Sequence, residues 1–406
     1  MPTVIAVLAT LDTKGDEAQF LREQIEALHG EALLVDMGVV GEPGAQPDIG
    51  REEVAAAGGT PLWNLLKDPT RQEASPVMIA GAARLLRERL KVGELDAVIG
   101  LGGTQGTSNC TQVMQALPYG LPKLMVSTVA SGDTAAFVGI KDVTMMFSVG
   151  DLLGLNPITR KILANAAGAA WGMAQNHVEI RPSESGKPVI GMTNLGVLTE
   201  GALLALELFK QRGYEVMVFH AVGSGGRAME QMMKEGLIGA VFDYALGEIS
   251  DELFHGLRAG GPERLSVAGQ LGLPQVLCPG GAEHIGLIVP ADTVPAAYAG
   301  HKHVFHNPII FAPRLSREQL SEVGAEIGRR LQSTRGKATF LIPTRGVSRY
   351  SIPAGPLHDP GSDRVFFDAI RAGLPPTIEC IELDAGPEDP GFVRAAVLRL
   401  ISLIES

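Results

Sequence analysis

Short runs of Val, Ile, Leu and Ala recur along the chain, each ending in a turn rich in Gly, Ser, Thr or Asp and followed by a segment of helical period. Strands buried on both faces read as such unbroken apolar runs, and their alternation with helices marks βα units around parallel strands. The opening unit is the clearest. Val4–Leu8 predicts a strand, and Ala18, Leu21, Ile25 and Leu28 follow as one stripe of a helix that Gly30 can end. Leu33–Val35 predicts the next strand, closing on Asp36-Met37-Gly38. Ile79, Ala83, Leu86 and Leu90 form a second stripe before a strand over Ala97–Leu101. Further strands are expected at Lys123–Ser127 and Val143–Ser148, then a long Ala/Gly-rich helix over 158–176.

The rhythm breaks once, at 181–188, a polar stretch with two prolines, and this is the expected linker. It restarts with a strand over Val189–Met192, a helix over 200–212 closed by Gly213, and strands at Val216–His220, Ala240–Asp243, Gln275–Cys278, Ala338–Ile342 and Thr377–Leu383. The reading is an α/β protein of two Rossmann-like subdomains, 1–185 and 186–406, with mainly parallel sheets and a ligand cleft between them. No residue-level repeat relates the halves.

Composition narrows the partners. With 34 Lys+Arg against 45 Asp+Glu the chain carries −11, and it has no long basic run, which argues against a nucleic-acid partner. Three cysteines without C-x-x-C spacing argue against a disulfide framework or a Cys-based zinc site and fit a reducing cytoplasm. The first apolar run lacks a cationic lead and a cleavage site, and no stretch reaches the length of a membrane span, so a soluble cytoplasmic protein is expected.

In open parallel sheets ligands bind beyond the carboxyl ends of the strands, where loops and helix starts present free N–H groups. Two glycine-rich loops stand there. Gly102-Gly103-Thr104-Gln105-Gly106-Thr107 follows one strand, and its glycines let backbone approach a phosphate or carboxylate while its hydroxyls add donors. It is neither a Walker A loop nor a G-x-G-x-x-G; a tight packing turn is the alternative. Gly223-Ser224-Gly225-Gly226-Arg227 follows another strand and opens a helix, where Arg227 opposes the dipole unless it meets an anion. Other strand ends add Thr13, Lys14, Ser131, Gly132, Asn194, Gly280 and Gly281 as candidate contacts, each with a turn or cap as its plainer role. Acid/base candidates are Glu283, His284, His358 and Asp359. Metal binding by His301 and His303 lacks a further ligand at a persuasive spacing, and no metal is expected.

On Thr10-Leu11-Asp12-Thr13-Lys14-Gly15-Asp16-Glu17, on Gly102–Thr107, and on Phe219-His220-Ala221-Val222-Gly223-Ser224-Gly225-Gly226-Arg227-Ala228-Met229-Glu230, the chain resembles the Tm-one-like ATP-binding family. That family includes the tomato mosaic virus resistance protein and uncharacterised bacterial relatives. Ala268–Pro274, Cys278-Pro279-Gly280 and His306-Asn307-Pro308 extend the match over essentially the whole chain. The resemblance implies two Rossmann-like subdomains, a site for ATP with or without Mg²⁺, and a homodimer or larger homo-oligomer; it does not imply a reaction. A mean hydropathy of +0.16 points the same way on assembly. The chain departs from the family pattern at Asp243-Tyr244-Ala245-Leu246-Gly247-Glu248, where relatives show a Thr-rich run before a Glu, and at Glu283-His284, where they carry Asp followed by Met. The expected function is therefore nucleotide binding by glycine-rich loops, with a metabolic enzyme acting on a small phosphorylated or carboxylated compound as the alternative.

Overall fold

The computed structural model describes residues 2–67, 70–176, 178 and 186–406. Its contacts divide the chain into two compact units, Met1–Ile180 and Arg181–Ser406. Of the expected linker, residues 181–185 lie outside the described residues.

Unit 1 runs β1 (Val4–Ala9), α1 (Leu11–Ala27), β2 (Glu31–Asp36), α2 (Arg51–Ala57), α3 (Leu62–Leu65), α4 (Arg71–Lys91), β3 (Ala97–Gly102), α5 (Thr104–Gln115), β4 (Lys123–Ser127), α6 (Ala135–Val138), β5 (Thr144–Phe147) and α7 (Pro157–Ala174). The five strands form one parallel sheet in the order β2-β1-β3-β4-β5. Alternate residues of β1 serve opposite faces. Ile5 and Val7 pack on α1 and α7 through Leu21, Ile25 and Leu163, whereas Ala6 and Leu8 pack on α4 and α5 through Met78, Leu86 and Val113. Both faces are covered, which is why these strands read as continuous apolar runs. Helix α7 starts where its sequence says it should. Pro157 takes the first turn and Asn156 and Thr159 close a capping box, their side chains and backbone N–H groups bonding reciprocally.

Unit 2 runs β6 (Ile190–Asn194), a 3-10 turn at Gly196–Leu198, α8 (Thr199–Gln211), β7 (Val216–His220), α9 (Ser224–Lys234), β8 (Ala240–Ala245), α10 (Gly247–Leu253), α11 (Val267–Leu271), β9 (Gln275–Gly280), β10 (Leu287–Ile288), β11 (His303–Asn307), β12 (Ile310–Pro313), α12 (Arg317–Leu331), β13 (Ala338–Pro343), α13 (Pro360–Gly373), β14 (Glu379–Leu383) and α14 (Pro390–Glu405). Six strands form a second parallel sheet, β14-β13-β9-β8-β6-β7. One face holds Met192, Phe242 and Val276 against α8 and α14; the other holds Leu277, Phe340 and Ile342 against α12 and α13.

The two mainly parallel sheets are those the sequence predicts. Two differences matter for the site. The excursion between β9 and α12 builds a three-stranded antiparallel sheet, β10-β12-β11, where no strand is expected. The Thr10–Glu17 motif, read as a strand-end loop leading into a helix, lies almost wholly inside α1, whose backbone kinks at Lys14 (φ −128°, ψ 22°).

Candidate functional site

A helix that starts at the carboxyl end of a parallel strand presents its first N–H groups there without intrahelical partners. Three such starts in this chain are occupied differently. At α1, Leu11 N donates to the Asp36 carboxylate at 3.1 Å, and the same oxygen accepts from Gly38 N at 2.8 Å. Asp36 is buried, and burial raises its pKa against those two donors. At α9, Gly223 N and Gly226 N donate to Glu248 Oε1 at 2.6 and 3.1 Å. At α5, no side chain among the described residues caps the first turn.

The open α5 end faces a cavity of about 460 Å³ in unit 1. Residues after β1 (Thr10, Asp12, Thr13, Lys14), after β2 (Met37 to Val40) and at the β3–α5 junction (Gly102 to Gly106) line it, with Ser75, Met78 and Asn109 from the neighbouring helices. In the strand order 2-1-3-4-5 the topology reverses between β1 and β3, the position where doubly wound sheets hold their ligands. The glycines divide the labour. A Cβ on Gly103 would meet nothing nearer than Thr128 Oγ1 at 3.8 Å, whereas one on Gly102 would lie 2.8 Å from Gly106 Cα. Gly103 therefore leaves room for a ligand, and Gly102 lets helix pack on strand.

Several sequence candidates for this unit take other roles. Lys14 lines the cavity, but its side chain is buried and Nζ donates to Leu152 O at 2.5 Å, so its ammonium is already engaged. Thr107 is buried, its hydroxyl 2.7 Å from Ser127 Oγ, and it does not line the cavity. Ser131 and Gly132 lie in an exposed turn after β4, away from the lining residues. Thr13, Gly102, Gly103, Thr104, Gln105 and Gly106 do come together.

The second glycine-rich loop is corrected from a ligand cradle to a structural joint. Glu248, which fills the α9 start, also accepts from Arg264 Nε at 2.6 Å through its other oxygen. Arg264 is fully buried and forks onto Asp243 at 2.5 and 2.7 Å, with Glu230 at 3.4 Å. Glu230 further accepts from Leu265 N and Val267 N at 2.5 and 3.1 Å. Three carboxylates around one guanidinium leave an excess of negative charge, and burial pushes Glu230 up to about 7 although Arg264 pulls it down. A Cβ on Gly226 would fall 2.0 Å from Glu248 Oε2, and one on Gly225 1.9 Å from His220 O. Gly223 has φ +90°, a conformation that favours glycine. Ser224 and Arg227 are exposed. Within the 243–248 segment, Asp243 and Glu248 are the partners of Arg264.

A second cavity, about 340 Å³, lies wholly in unit 2. The loop after β6 (Leu195, Gly196, Val197), His220 and Val222 after β7, Leu257 and Arg258, His284 and Gly286 after β9, His306, Ile310 and Ala312 of the antiparallel sheet, and Tyr350 line it. Behind its wall the Glu283 carboxylate is fully buried. It lies 3.2 Å from His284 Nδ1 and accepts from the Ser348 hydroxyl. Burial works to raise Glu283, but His284, Ser348 and Arg314 outweigh it and hold the carboxyl at about 2. On its other side His284 Nε2 is 3.4 Å from Arg258 Nη1.

Of the remaining candidates, His284 alone reaches this cavity's lining. His358 Nδ1 lies 3.0 Å from Ser351 O, and Asp359 caps α13 by accepting from Ser362 N at 3.1 Å, so neither is an acid or base of this site. Gly280 packs where a Cβ would strike Tyr244 O at 2.2 Å. Gly281, at φ +67°, donates its N–H to Val347 O at 3.0 Å. Asn194 ends β6 with its Oδ1 buried and without a hydrogen-bond partner. Arg258 and Tyr350 escaped the sequence reading, and His220 and His306 entered it only as residues of the family motifs. His220 ends a predicted strand and was within reach of the strand-end rule; Arg258 carried no local signal. Among the described residues no group of three or more His, Cys, Asp or Glu could hold a metal ion. Nor is any helix among them long and apolar enough to cross a membrane.

Comparison with known proteins places this geometry in a family. The chain is 37% identical over 402 residues to a UPF0261 protein of Clostridium tetani, covering 99% of each. It is 30% identical over 371 residues to the ToMV susceptible protein tm-1(GCR26) of Solanum lycopersicum, covering 87% of this chain and 49% of that protein. A solved putative UDP-N-acetylglucosamine 2-epimerase from Listeria monocytogenes is similar at 11% identity and a TM-score of 0.24, covering 99% of this chain and 96% of that one. Residues 3–179 match the N-terminal domain and residues 187–404 the C-terminal domain of one family. The chain belongs to the uncharacterised protein family UPF0261.

Proposed function

We propose that unit 1 binds ATP, or a phosphorylated small molecule like it, with the phosphates at the start of α5. The observation that carries the reading is the uncapped α5 end, opening through Gly103 on a cavity at the sheet's topological switch point. First-turn N–H groups and the helix dipole favour an anion there by about 0.3–1 kcal/mol per exposed contact. Thr104 adds a hydroxyl at the same end, and Met37, Val39, Val40, Ala74 and Met78 offer an apolar flank for a base. Asp36 at the end of β2 already accepts from Leu11 N and Gly38 N through one of its two carboxylate oxygens. Asp12 is the lining carboxylate that would hold Mg²⁺, which would supply positive charge to the phosphates. The proposal includes a cytoplasmic homo-oligomer, supported by Val149, Leu153 and Ile158, apolar side chains 69%, 76% and 59% exposed within ten residues.

The test is Gly103→Val, whose branched side chain enters the space left for phosphate. Calorimetric titration with ATP, with and without Mg²⁺, is expected to give saturable binding to the native chain. The variant should bind at least ten-fold more weakly with its thermal midpoint within about 2 °C, because no neighbour opposes the new Cβ. Absence of saturable binding to the native chain, or equal affinity in the variant, would return the loop to a packing turn.

A further inference from the structure

We infer that the unit-2 cavity is a second ligand site, one that takes a small monocarboxylate with an apolar body. Its wall is mostly aliphatic, from Leu195, Val197, Val222, Leu257, Ile310 and Ala312, and at about 340 Å³ it sits near the small end of ligand pockets. Its polar side chains include the Tyr350 hydroxyl and four nitrogen-bearing groups. Arg258 and three histidines line it, and no Asp or Glu does. An anionic end on the ligand is what that lining complements.

Arg258 is set in place before any ligand arrives. Asp251 accepts from its Nε at 3.0 Å and its Nη2 at 2.6 Å, and His284 O accepts from Nη2 at 2.7 Å. Nη1 is left with a 3.4 Å contact to His284 Nε2. Nη1 and the edge of the His284 ring thus stand side by side at the wall, two adjacent nitrogens matching the two oxygens of a carboxylate. Glu283 backs the imidazole from the far side, its carboxylate 3.2 Å from Nδ1, which fixes the ring with Nε2 toward Arg258. His284 Nδ1 and Glu283 Oε2 are buried without a hydrogen-bond partner. A phosphate, with its higher charge and stronger hydration, fits a mostly aliphatic cavity of this size less well. This site shares no lining residue with the unit-1 cavity, so the inference does not rest on nucleotide binding.

Isovalerate and 3-phenylpropionate are the probes, titrated into the full chain by ligand-detected NMR and calorimetry, with isovaleramide and inorganic phosphate as controls. At least one carboxylate should saturate at one site per chain, with the amide and phosphate at least ten-fold weaker. Gly196→Leu is the blocking variant. Gly196 is exposed in the lining, and a Cβ there meets no atom within 4 Å, so the leucine fills the mouth without strain. It should weaken carboxylate binding at least ten-fold and leave the thermal midpoint and ATP binding unchanged. His284→Gln, which roughly keeps the volume and removes the imidazole nitrogens, should weaken the carboxylate alone. The inference is overturned if neither carboxylate saturates, if the amide or phosphate binds as well, or if a folded Gly196→Leu binds carboxylate normally. Loss on Gly103→Val instead of Gly196→Leu would move the carboxylate to unit 1 and overturn it equally.

Discussion

The glycine-rich loops at 102–107 and 223–227 look alike in sequence, and the molecule uses them in opposite ways. Both follow a parallel strand and open a helix. In unit 2 the donor end is met from within by Glu248, itself tied to Arg264, so the loop's glycines exist to let that buried charge cluster close. In unit 1 the equivalent end is capped by no side chain among the described residues, and its middle glycine borders empty volume. A glycine-rich strand-to-helix turn is thus a socket whose contents are decided by residues elsewhere, here one 22 residues beyond Gly226.

The sharpest way to break this contrast is to place the same methyl on both loops. Gly226→Ala puts a carbon 2.0 Å from Glu248 Oε2 and 2.4 Å from Arg264 Nε, and overpacking a charge cluster that cannot yield should cost about 3 kcal/mol or more, read as a fall in unfolding midpoint or in soluble yield. A near-native midpoint would show that Glu248 is not fixed there.

The next effect is a pH dependence carried by the same cluster. Glu230 sits at about 7 in the folded chain against an ordinary 4.5, so between those values the folded state holds a proton that the unfolded state has released. Stability should therefore fall as pH rises from about 4.5 to 7, by something of order 1–3 kcal/mol, and level off above. Asp363, raised to about 6 by its own burial, contributes in the same direction but ends sooner. Glu230→Gln should abolish the part of the decline between pH 6 and 7, measured by denaturant unfolding across that range. The smallest effect is the counterpart in unit 1: Gly103→Ala should change stability by no more than about 0.5 kcal/mol, and a larger loss would mean that this loop too is a packed joint.

The scaffold was legible because its strands are covered on both faces, so Val4–Ala9 and Ala97–Gly102 announce themselves without knowledge of their neighbours. The antiparallel strands were not, since His303–Asn307 is half polar and shorter than any clear alternation. Around the cavities, the strand-end rule reached Gly102 to Gly106 and His284, which line them. It failed wherever the deciding partner was remote. Nothing near Gly223 foretells Glu248, and nothing near Lys14 foretells the carbonyl of Leu152, 138 residues later. Local sequence reports which backbone ends are donors; long-range packing decides which of them stay available.

The β10–β12 excursion has a consequence for how such a protein can diversify. Strands β9 and β13 pair directly, and the 15 residues of α12, about 22 Å of helix, already supply the crossover that parallel neighbours require. The excursion is therefore surplus to the sheet, yet it contributes His306, Ile310 and Ala312 to the unit-2 cavity. A lineage can lengthen, trim or rewrite this one detour and so exchange what the cavity admits, while the parallel framework passes through the change intact.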